Sequence, residues 1–108
     1  MNWAQTAIDA LARGERTRLT VHGGSMRPKV ESGSTVTLLP VKNDPAVGAI
    51  VLCTVRGRTY LHLVKATRKN GRSTEFQIGN NRGGINGWCS RAAIHGVLVH
   101  IDPPPRSS

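Results

Sequence analysis

From Gly14 onward the chain is built of short stretches in which apolar and polar residues alternate, at 18–22, 35–41, 49–56, 58–65, 74–78 and 94–101, separated by turn residues. Alternation sends successive side chains to opposite faces, so each stretch can bury one face as a strand. The pattern predicts a mainly β protein, a small antiparallel β domain. Arg56-Gly57-Arg58 fits the turn joining the third and fourth runs. Lys69-Asn70-Gly71-Arg72 fits a second hairpin, because Asn-Gly suits the φ > 0 positions of a primed turn. Before Gly14, Trp3, Ala4, Ala7, Ile8, Leu11 and Ala12 recur at three- and four-residue spacing. They predict a short amphipathic N-terminal helix over 2–13, with Asn2 as cap and Gly14 as stop.

The length of 108 residues allows one core and no second domain. Its parts read as an N-terminal helix at 1–14, a β domain at 15–102 and an exposed Pro-rich tail at 103–108, since Pro103-Pro104-Pro105 cannot continue a ladder. With one Phe, one Tyr and two Trp, the core must come mostly from Val, Leu, Ile and Ala. The apolar stretches fall far short of the ~20 residues a spanning helix needs, so no membrane span is expected. Asp9, Arg13 and Glu15 interrupt what an export signal would require as a continuous apolar core. A cytoplasmic location is the expectation. Cys53 and Cys89 lack CxxC spacing and a partner cluster, so they read as reduced, partly buried thiols, and no metal or cofactor is expected.

Fifteen Lys plus Arg against six Asp plus Glu give a net charge of +9, which favours acidic partners such as nucleic acid or anionic headgroups. Arg13, Arg16 and Arg18 cluster near the start, Arg56 and Arg58 flank one hairpin tip, and Lys65, Arg68, Lys69 and Arg72 surround the other. Such tips can grip phosphates without reading sequence. The aromatics that would stack on bases are few and scattered, however, and a solvated surface explains the same residues. Trp88 reads as an anchor of its loop against the core.

Gly23-Gly24-Ser25-Met26-Arg27-Pro28 is the segment with chemical promise. A serine hydroxyl is a weak nucleophile until a base removes its proton, and it works best where backbone N–H groups hold the developing oxyanion. Glycines before the serine let a carbonyl approach the chain, and Pro28 stiffens the exit. The base candidate is His62, in Leu61-His62-Leu63-Val64; Lys65 lies three residues on, and without a bulge it points to the opposite face. Imidazole already titrates near ~6.5, whereas lysine would need strong desolvation.

Taken in order, Ser25-Met26-x-Pro28, Glu31-x-Gly33, Val47-Gly48-Ala49-Ile50-Val51, Leu61-His62-Leu63-Val64, Gly79-Asn80-Asn81 and Ile94-x-Gly96-x-Leu98 resemble the motif series of the signal peptidase I and LexA-like serine peptidases. The resemblance covers about residues 22–99. It implies a mostly β fold, a Ser-Met serine as nucleophile, a Lys or His base, and small residues near the cleaved bond. At the base this chain resembles the branch that uses His. That branch carries Gly-Asp-Asn where this chain has Gly79-Asn80-Asn81, so Asn80 becomes the candidate to orient His62, without the full charge that would stabilise imidazolium. A plain turn-rich loop explains the same residues equally well. Two further family aspartates are replaced by Ser34 and Ala49. No membrane anchor and no Ala-Gly or Cys-Gly dipeptide precede Ser25, so membrane processing and self-cleavage are not expected of the chain by itself.

These readings converge on a serine peptidase with Ser25 as nucleophile, His62 as base and Asn80 as orienting group, acting on a peptide or protein. Substrate would lie as an extended strand beside 26–30, contacted by Gly23, Gly24, Met26, Pro28 and Val30. The alternative is a catalytically silent member of the fold that binds nucleic acid or protein through its basic hairpins.

Overall fold

A computed structural model describes residues 3–23, 26 and 29–105. One helix, α1 (Gln5–Ala12), precedes seven strands: β1 (Thr17–Thr20), β2 (Thr35–Pro40), β3 (Ile50–Val55), β4 (Arg58–Asn70), β5 (Ser73–Gly79), β6 (Ile85–Ser90) and β7 (Ile94–Asp102). All belong to one sheet in the order β1-β2-β7-β3-β4-β5-β6, and every neighbouring pair is antiparallel. The mainly β architecture with a short N-terminal helix is thus the one the alternation predicts.

Central strands are the most apolar because both faces of the sheet are covered. In β3, Val51, Leu52 and Cys53 are all fully buried. Leu52 joins Val36, Leu38, Leu61, Leu63, Val21, Met26 and Val30 in one core, completed by Ala7 and Leu11 of α1 and by Ala4 just before it. Val51 and Cys53 face the other way, into a second core with Val55, Val64, Phe76, Ile78, Cys89 and Ile94. That second core exists because the sheet curls until β6 packs over β3, with Gly87 lying against Val55.

The helix is shorter than its apolar spacing predicts. It starts at Gln5 behind an Ala4 cap that offers no side-chain acceptor, and the expected cap Asn2 lies outside the described residues. Gly14, at φ +80°, ends it as expected. The helix docks on β7 where Gly96 leaves room: a Cβ there would come within 2.7 Å of Leu11 Cδ1.

Both predicted hairpins form, one of them shifted. Val55 pairs with Arg58, so Arg56 and Gly57 are the central turn residues, both at positive φ (51° and 80°) as a type I′ turn requires. In the second, Asn70 pairs with Ser73, which makes Gly71-Arg72 the central pair rather than Asn70-Gly71. β4 also runs five residues past the predicted end at Lys65, through a bulge at that residue. β6 was not expected: the segment around Trp88 reads as a loop, yet Ile85–Ser90 forms the sheet edge. Trp88 accordingly sits in a strand, half-buried, with the Arg68 guanidinium 4.0 Å over its ring. The start of the Pro-rich tail is not wholly exposed, since Pro104 lies against Gly33.

Candidate active site

His62 occupies the middle of β4, opposite Val51 of β3, and is 7% exposed. Tyr60, two residues earlier on the same strand face, stacks on its ring with centroids 4.9 Å apart. His62 Nδ1–H donates to Asn86 Oδ1 at 2.6 Å. Because the amide oxygen can only accept, this bond fixes the tautomer and makes Nε2 the nitrogen that carries the basic lone pair. Burial holds the His62 pKa below its ordinary value, and the Asn86 bond offsets part of that effect. The imidazole is therefore neutral at pH 7, the form a general base needs.

Asn86 reaches His62 through a fault in the ladder. Ile78 pairs with Gly87 and Gly79 with Ile85, so Asn86 is the extra residue of a β-bulge. A bulge re-aims a side chain that regular pairing would send elsewhere. Gly79 is required for this crossing, because a Cβ there would lie 2.4 Å from Gly84 O, 3.0 Å from Lys65 Cγ and 3.1 Å from Ile85 Cδ1.

Asn80 does not fill the orienting role. Its Oδ1 accepts from the backbone N–H groups of Arg82 and Gly84 at 2.8 and 2.9 Å, closing its own loop. The local contest for Asn side chains, between turning back on the backbone and reaching across space, goes to the backbone here. Lys65 is not the surface cation its strand position suggested. It is half-buried at the β4 bulge, and its Nζ donates to Asn80 O at 3.1 Å. Lysine thus secures the loop, while histidine keeps the site.

A cavity of about 490 Å³ opens beside His62, lined among others by Trp3, Val21, Met26, Val30 and Leu61. Gly23 also lines it, at φ +106°, a conformation that favours glycine. Gly23 N–H donates to Ser32 Oγ at 3.1 Å, which commits that donor. Ser25, Gly24 and Pro28 lie outside the described residues. Beside Gly23, Val30 N–H donates to Met26 O at 3.0 Å, tying together two of the residues expected to contact substrate. Residues 20–23 and 59–62 line the cavity together with Met26 and Val30.

Elsewhere, carboxylates neutralise part of the basic surface: Arg13 pairs with Glu15, Arg18 with Asp102, Arg68 with Glu75 and Arg91 with Asp44. Cys53 and Cys89 are buried free thiols; burial pushes Cys53 up to about 12, with Cys89 adding to it. Among the described residues, no helix is long and apolar enough to cross a membrane, and no cluster of three or more His, Cys, Asp or Glu forms.

Comparison of the chain with protein-family models, with curated proteins and with solved structures finds no match. What the fold and site define is a class by geometry alone: a curled, single-sheet antiparallel β domain with a buried, oriented, neutral histidine at a cavity.

Proposed function

We propose that the chain is a serine peptidase of the signal peptidase and LexA-like kind, in which Ser25 is the nucleophile, His62 the general base and Asn86 the orienting group. The observation that carries this reading is the His62–Asn86 bond at a cavity that Gly23 and Met26 also line. Ser25 directly precedes Met26 in the chain.

His62 Nε2 would take the Ser25 hydroxyl proton as Oγ attacks the substrate carbonyl. It would return that proton to the leaving amine, leaving an acyl-enzyme that water then hydrolyses with the same histidine as base. Asn86 holds the ring and its tautomer but adds no negative charge, so the imidazolium formed in the transition state is less stabilised than beside an aspartate. Substrate would enter as an extended segment beside residues 20–23, at and after the end of β1, and residues 59–62 of β4.

Covalent labelling by a fluorophosphonate, read by intact mass, tests the reading. Labelling of the wild type that disappears in Ser25→Ala and falls sharply in His62→Ala is the expected result. An unlabelled wild type that binds polynucleotide with steep salt dependence would transfer the assignment to a silent basic binding module.

A further inference from the structure

The cavity beside His62 belongs to a chain of net charge +9. Among its described lining residues there is no Asp, Glu, Lys or Arg. Val21, Met26, Val30 and Leu61 present their side chains from the core, each under a tenth exposed, whereas Trp3 stands at the cavity 53% exposed. Thr20, His22, Thr59 and Tyr60 line the same cavity, so polar groups stand beside its apolar wall, and a half-exposed tryptophan at such a hollow is the residue type that contributes most when a partner covers it. Met26 adds a flexible, polarizable surface that adapts to differently shaped apolar groups. A methyl group would leave most of the roughly 490 Å³ unfilled, and unfilled apolar space forfeits contacts.

We infer that the site selects peptide segments carrying a large apolar side chain of the Leu, Met or Phe class beside the bond attacked, with Trp3 as the specificity residue that covers it. This departs from the small residues that the family resemblance implies. It rests on the peptidase reading for its chemistry, but the fit of side chain to cavity is measurable without turnover.

The test uses the full chain with Ser25→Ala and Trp88→Phe, which leaves Trp3 as its sole tryptophan. Serine-based hexapeptides, with Leu, Phe or Ala placed at one position at a time, are titrated by tryptophan fluorescence. At one position, Leu and Phe peptides should bind at least about tenfold tighter than Ala, the lower end of what a methylene is worth in an apolar pocket, with a blue shift of Trp3. Trp3→Ala, followed by calorimetry, should reduce that ratio to below about threefold. If Trp88→Phe does not fold, calorimetry on Ser25→Ala with and without Trp3→Ala gives the same comparison. Equal affinities, tighter binding of Ala, or no binding up to millimolar peptide would overturn the inference. Selective binding by a chain that no serine probe labels would sink the peptidase reading alone; labelling and turnover indifferent to the side chain would sink the specificity alone.

Discussion

His62 and Asn86 are joined by a 2.6 Å hydrogen bond although their strands, β4 and β6, are not neighbours in the sheet: β5 lies between them. The bond is possible because the sheet curls and because a bulge turns Asn86 inward. Replacing Asn86 by Ala should slow serine labelling by about 10- to 100-fold, less than the ~10⁴ attached to a charged triad aspartate. It should also lower the His62 pKa further, since the lost bond is the one that raises it. Asn86→Asp should raise that pKa and preserve labelling. Imidazole NMR titration and labelling rates check all three. Asn80→Ala should leave the His62 titration in place and act on stability, because it loses only the loop closure at Arg82 and Gly84.

Acid sensitivity follows from two imidazoles, buried His62 and half-buried His95. Burial lowers the pKa of both His62 and His95, the latter bonded to Thr54 Oγ1 at 2.8 Å. A histidine with a lowered folded pKa takes up its proton more readily when unfolded, so its contribution to stability is complete above the unfolded value of ~6.5 and is lost as pH falls below it. The melting temperature should therefore hold steady above about pH 6.5 and decline beneath it. The His62→Gln, His95→Gln double variant should show a shallower decline; an unchanged slope would refute the assignment. Serine labelling should persist below pH 6.5 for the same reason.

Two glycines mark close approaches that alanine would test. At Gly79 the nearest obstruction is a backbone carbonyl, Gly84 O, which cannot rotate away. Gly79→Ala should cost about 1–3 kcal/mol, and it should disturb the Asn86 bulge, slowing labelling as well. At Gly96 the methyl meets the far end of the Leu11 side chain at 2.7 Å and Leu39 O at 3.1 Å. The loss there should appear in stability, with the His62 titration unchanged. Denaturant melts paired with NMR titration separate the two effects.

Among the described residues Phe76 is the largest fully buried side chain, in the second core with Cys53. Phe76→Ala should destabilise by about 3–5 kcal/mol. The thiol of Cys53, fully buried and pushed up to about 12, should resist a disulfide reagent at pH 8 until the chain unfolds. In the Phe76→Ala chain its reaction should quicken in proportion to the unfolded fraction.

The strands that alternate cleanly, such as β2 with Val36 and Leu38 inward, were legible because one periodicity fits only one pairing face. β6 was not, since Asn86-Gly87 carries turn residues and its pairing depends on a distant strand already being in place. The same limit governs the site. His62 stands out in an apolar strand, but its partner depends on which asparagine a bulge re-aims, and a bulge has no local signature. Asn80 matched a motif by spacing, and short-range bonds to its own loop claimed it.

Trp3 reaches the cavity from the segment that leads into α1, whose Ala7 and Leu11 enter the core. An eight-residue helix has little stability of its own and persists through that docking. Local opening of the N-terminal segment would thus dissolve one wall of the cavity while leaving the sheet intact, so amide exchange at Ile8, bonded to Ala4 O, would report how often the site is complete.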